Sequence, residues 1–175
     1  MNNYIDLRDS PPKRRSRCDD GQEKHLTEAA VMIAFGMYLL ERGALTVELH
    51  PDGEHGKRHD LKKSLESRGL MLVRPQGTTI YGGTYQRDHQ TVNVILKPGV
   101  GDVVAKIGGQ TLIAECKGGV VNTRHAGQVS KLRRGLCEAV GLLMARPLGG
   151  ERHVAVVPAT PETEKVARRM LPRVM

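Results

Sequence analysis

The chain contains no tryptophan, one phenylalanine and four tyrosines among 175 residues. Unpaired bases are commonly held by stacking on aromatic side chains, and little here could do that. Any nucleic-acid contact should therefore run through phosphates, which favours a duplex or backbone reader. The core must be aliphatic, which 39% hydrophobic residues in a chain of this length can supply. Cysteine is scarce as well: Cys18, Cys116 and Cys137 are an odd number with no C-x-x-C pair. That argues against a disulfide framework and a cysteine-rich zinc site, and fits a reducing compartment. No hydrophobic run approaches the length of a membrane span, and the amino terminus is polar where a signal peptide needs an apolar stretch. The expectation is a cytoplasmic protein with no membrane association.

Positive charge is what the chain has in excess. Twenty-seven basic residues against nineteen acidic ones give a net +8 and a pI near 9.7, which suits a polyanionic partner. The excess is concentrated. Between Lys117 and Arg146 six basic residues (Lys117, Arg124, Lys131, Arg133, Arg134 and Arg146) face one acid, Glu138. Residues 1–22 carry Pro11-Pro12, the basic group Lys13, Arg14, Arg15 and Arg17, and Asp19-Asp20-Gly21, with almost nothing apolar. They read as a mobile arm ahead of a single domain, residues 23–175, but nearby acids almost balance the basic charge.

Taken in order, residues from about Glu23 to Arg42 repeat apolar side chains at helical spacing on two sides, with Glu28 at the head of one row. His50 to His59 holds three histidines and two acids, but Pro51, Asp52, Gly53 and Gly56 make it a polar loop before a helix from about His59 to Arg68. Leu70–Val73 is a short apolar run, Tyr81–Tyr85 a flexible loop, and Gln90–Leu96 a strand. Arg124–Arg146 suits a long helix burying Val129, Leu132, Leu136, Ala139, Val140 and Leu143, ended by Pro147. Val154–Val157 reads as a strand, and Thr160-Pro161-Glu162 opens a last helix to about Met170. The expected architecture is α/β, one mixed sheet with helices on both faces.

The chemistry is expected between Gly101 and Gly119. Apolar-rich runs at 103–107 and 112–114 flank Gly108-Gly109-Gln110, the signature of a β-hairpin. Strand alternation puts Glu115 and Lys117 on one face and Ala114 and Cys116 on the other. The turn brings Asp102 across to Glu115, where two carboxylates would repel unless a hard divalent cation lies between them. Glu48 with Asp60-Leu61-Lys62 repeats the same loose pattern, but its second acid and lysine fall in a helix, where residues two apart diverge.

Asp102, the Glu115-Cys116-Lys117 triplet, a preceding helix with an acid and a following helix together resemble the PD-(D/E)xK, or restriction-endonuclease-like, phosphodiesterase superfamily. The resemblance covers residues from about 23 to 157 in order of elements, and three positions carry specific identity. Gly101 departs from the proline of the family's name, at a position that varies widely. The resemblance implies a magnesium- or manganese-dependent nuclease hydrolysing DNA, with Asp102, Glu115 and either Glu28 or Glu23 as metal ligands. Lys117 would orient the attacking water and offset phosphorane charge, and Gln128, where some members place a glutamine, would orient the water or the Lys117 ammonium. Arg124, Lys131, Arg133 and Arg134 would hold phosphates of duplex or branched DNA. An endonuclease, a structure-selective nuclease of the Holliday-junction-resolvase kind, and a nuclease-fold module that binds without cutting all fit the pattern. Cutting both strands of a duplex calls for two sites, hence the expectation of a homodimer.

Overall fold

The computed structural model describes residues 23–147 and 149–174. The proposed arm, residues 1–22, lies outside them. A two-residue strand, β1 (His25–Leu26), leads into α1 (Glu28–Glu41). The helix starts at Glu28, not at Glu23, because Thr27 takes the cap: its hydroxyl accepts the Ala30 N–H at 3.1 Å. Nine of its fourteen residues are buried, among them Met32, Ile33, Met37, Leu39 and Leu40, so the apolar rows on both sides reflect a helix enclosed nearly all round.

Next come β2 (Thr46–Leu49), α2 (Gly53–Arg58) and α3 (Leu61–Glu66). The segment expected to be a polar loop is thus partly helical. Asp52 accepts the His55 N–H at 2.8 Å while His55 Nδ1 accepts the Asp52 N–H at 3.0 Å, a reciprocal cap that outweighs the two glycines. Strands β3 (Met71–Pro75), β4 (Gly83–Arg87) and β5 (Gln90–Val94) follow. The flexible loop expected at Tyr81–Tyr85 is therefore strand from Gly83 on. Tyr85 anchors it, wholly buried with its hydroxyl donating to the Tyr81 carbonyl at 2.8 Å.

The hairpin forms as expected from β6 (Val103–Ile107) and β7 (Gln110–Cys116), closed by Gly108-Gly109, both with positive φ. The chain then passes through β8 (Gly119–Val120), α4 (Ala126–Met144), β9 (Arg152–Val156) and α5 (Pro161–Val174). His125 caps α4, so Arg124 precedes the helix and Arg146 follows it, and Val129 and Val140 are only half-buried. Thr160 caps α5, its hydroxyl accepting the Thr163 N–H at 3.2 Å.

Seven strands make a mixed sheet in the order β3-β4-β5-β2-β6-β7-β9, with β2/β5 and β7/β9 parallel and the other pairs antiparallel. Helix α1 lies on one face, where Val47, Leu49, Val103, Ala105, Leu112, Ala114 and Cys116 join its side chains in one aliphatic core. Helix α4 packs across β7 and β9, burying its own Leu132, Leu136, Ala139 and Leu143, so that Ile113 and Glu115, of the opposite parity on β7, are covered as well. The centre of the hairpin's second strand is thereby sealed on both sides. Among the described residues no helix is long and apolar enough to cross a membrane.

Candidate active site

Asp102 sits one residue ahead of β6 and is held by backbone on two sides: its N–H donates to the Ala114 carbonyl and its carbonyl accepts the His50 N–H, both at 2.9 Å. The β6/β7 register ends at Val103↔Ala114, and just beyond it Asp102 lines one cleft with Glu115. Gly101 approaches β7 so closely that a Cβ would come within 2.9 Å of the Ala114 carbonyl oxygen, which explains glycine here in place of proline. Asp102 Oδ2 accepts the Cys116 N–H at 2.7 Å, and Cys116 itself is core, as strand parity implied. Burial pushes the Asp102 carboxyl above the usual range, the Cys116 N–H opposes this, and the negative charge of Glu28 adds to it.

Glu115 is the one buried acid of the sheet, with 8% of its side chain exposed. Burial and the charge of Asp102 raise its pKa, partly offset by Arg146 and Lys117. Its partner is Arg146, whose guanidinium donates to Glu115 Oε1 from just beyond α4.

Lys117 lies one residue past the end of β7, although its N–H still donates to the Val156 carbonyl of β9 at 2.9 Å. There the chain turns: Gly118 crosses so tightly over the Leu26–Glu28 backbone that a Cβ would lie 2.2 Å from the Leu26 carbonyl oxygen. That crossing delivers Lys117 to the start of α1, where Nζ donates to Glu28 Oε1 at 2.7 Å and pairs with Glu138 of α4 at 3.1 Å. Burial alone would lower the lysine's pKa, but Glu28 and Glu138 more than reverse this, and the ammonium stays charged across the physiological range.

Glu28 is thus the helix acid at the site, while Glu23 stands before β1 and lines neither cleft described here. Burial would raise Glu28, yet the His55 ring nearby and the hydrogen bond from Lys117 hold it below the usual carboxylate range. Sequence reasoning missed His55. Its Nδ1 is taken by the Asp52 N–H, so the neutral ring carries its proton on Nε2, 3.9 Å from Glu28 Oε2. That contact raises the His55 pKa, burial opposes the rise, and Asp52 adds to it. The available signal was the Asp52 to His55 spacing of a reciprocal helix cap.

Two clefts share this centre, with Asp52 lining both. The first, about 310 Å³, is bounded by Glu28, His55, Arg58, Lys117, Gln128 and Lys131. The second, about 410 Å³, is bounded by His50, Asp52, Gly101, Asp102, Glu115 and Arg146. The expected shared face of Glu115 and Lys117 therefore divides between them. Gln128, half-buried in the first turn of α4, joins Lys117 and Glu28. Of the basic residues assigned to phosphates, Lys131 reaches the first cleft, and Arg134 is exposed on α4. Arg124 is exposed ahead of that helix. Arg133 is committed elsewhere, with Nε donating to Glu162 of α5 at 3.2 Å.

Among the described residues, no three histidine, cysteine or carboxylate side chains converge as a ready metal-holding group. Comparison with models of known protein families, with curated proteins and with solved structures gives no match.

Proposed function

We propose that the protein is a divalent-cation-dependent phosphodiesterase that cuts DNA, most simply as an endonuclease, on a restriction-endonuclease-like variant of this α/β sheet. One observation carries the reading: Asp102, just ahead of the first hairpin strand, and Glu115, on the second, line one cleft with burial disfavouring their charge, and a permanently charged lysine lies just past the end of the second strand. Two carboxylates that share a cleft repel, and a divalent cation between them would offset that repulsion more fully than Arg146, which meets Glu115 alone.

The donor chemistry fits magnesium or manganese, since carboxylate oxygens are hard ligands. Asp102 and Glu115 would hold the ion, with Glu28 the adjoining acid, and the present arrangement would have to open by releasing Glu115 from Arg146. When bound, such an ion supplies polarisation of a phosphate and a lowered pKa for an attacking water. Lys117 cannot serve as the base, because its partners keep it protonated. It offers a fixed positive charge where negative charge develops, and Glu28 and Glu138 hold its ammonium in place. Gln128 lies where a neutral donor and acceptor would orient water beside that ammonium. Lys131 and Arg58 would take flanking phosphates along the first cleft.

The lack of a preformed triad of ligands among the described residues favours a second reading, a module of this fold that binds DNA without cutting. Incubation with supercoiled plasmid and manganese separates the two. Nicking by the wild type that disappears in Asp102→Asn is expected, and no nicking, or equal nicking by the variant, defeats the enzymatic reading. Double-strand cuts or junction resolution would call for a second copy, which sedimentation during turnover would reveal.

A further inference from the structure

Arg146 has no part in the machinery described above, yet it is the cation nearest the buried acid. Its terminal nitrogen bonds Glu115 while its Nε is buried with no hydrogen-bond partner among the described residues. A guanidinium is a planar fork whose Nε and one terminal N–H present two parallel donors to a single oxyanion. Glu115 uses only part of that fork. A buried donor left unmatched costs stability. The cleft in front of this side chain is lined by Asp102, His50 and Asp52, with room for a phosphate group.

We infer that Arg146 is a phosphodiester-binding residue of the site, parked on Glu115 in the free protein and transferred to a backbone phosphate when DNA enters the second cleft. The inference rests on the nucleic-acid reading of this site and names the residue that meets the phosphate beside Asp102. It also accounts for the missing metal triad: the same exchange that gives Arg146 its second acceptor frees Glu115.

A double-mutant cycle in EDTA tests this without any cleavage. Binding of a short fluorescein-labelled duplex is followed by anisotropy at fixed salt. Glu115→Gln weakens the parking contact, and we expect it to tighten binding about tenfold, the range of one charge-assisted hydrogen bond. In an Arg146→Gln background the same change should yield less than about twofold, because the beneficiary is gone. An equal gain in both backgrounds would mean simple relief of repulsion and would overturn the inference, as would no gain in either. Arg146→Lys, which keeps the charge and the pair with Glu115, guards against a folding defect: it should lose most of the gain, and a gain left intact would count against the fork. Plasmid nicking without this coupling would remove Arg146 alone, whereas coupling without nicking would remove only the nuclease reading.

Discussion

The two clefts meet at Asp52, yet they treat their acids in opposite ways. In the first, Glu28 is paired with the Lys117 ammonium and faced by the His55 ring, and its charge is favoured. In the second, the half-buried Asp102 and the buried Glu115 line one cleft and their charge is disfavoured despite Arg146. A carboxylate that is satisfied stabilises the fold. One whose charge burial disfavours is a candidate for binding a cation, and the contrast sets Glu28 apart from the two acids proposed to take the ion.

The largest effect expected from breaking this comparison is on cleavage. Lys117→Met removes the fixed charge opposite the developing anion, and nicking should fall by roughly 10²–10³-fold, the usual scale for one preorganised electrostatic contact. A variant within a few-fold of wild type would place the chemistry elsewhere.

Stability should then move in opposite directions on the two sides. Asp102→Asn keeps an acceptor for the Cys116 N–H while removing a disfavoured charge, so its melting temperature at neutral pH should rise by about 2 °C. Glu28→Gln breaks a favourable pair and should lower it by a similar amount. The pH dependence has the matching sign. Glu28, depressed in the fold, contributes stability that is present above its unfolded pKa and lost as pH falls through its folded one. Asp102 and Glu115, raised in the fold, impose a cost at neutral pH that is relieved as pH falls through their folded values. Melting curves from pH 7 down to about 4 on wild type and both variants read this directly. Equal shifts in Asp102→Asn and Glu28→Gln would erase the distinction between the clefts.

The smallest expected effect concerns duplex binding. Lys131→Gln should weaken it a few-fold and reduce the salt slope by about one, whereas Arg133→Gln should leave it nearly unchanged, because that guanidinium is engaged with Glu162. Anisotropy titrations at several salt concentrations give both numbers.

The hairpin was legible in the sequence because everything that makes it is local: strand period, two glycines at the turn, and an acid and lysine two residues apart. The turn then carries Asp102 back to the cleft that Glu115 lines, a placement that needs no long-range information. Residues 53–58 were misread because single-residue turn preferences spoke for a loop, whereas a pairwise contact, Asp52 with His55, made a helix. The same limit hid His55 from the site and left Glu28 and Glu23 unresolved until Thr27 was seen to cap the helix. Arg133 and Arg146 looked alike as members of one basic stretch. Only their partners, Glu162 on α5 and Glu115 on β7, distinguish a surface pair from a residue inside the site.

The claim on which the rest depends is that Asp102 and Glu115 are kept for a divalent cation. Calorimetric titration of manganese into metal-free protein tests it directly. The account predicts a saturable binding event in the wild type that is lost in Asp102→Asn. Heat absent from the wild type, or unchanged in the variant, would contradict it.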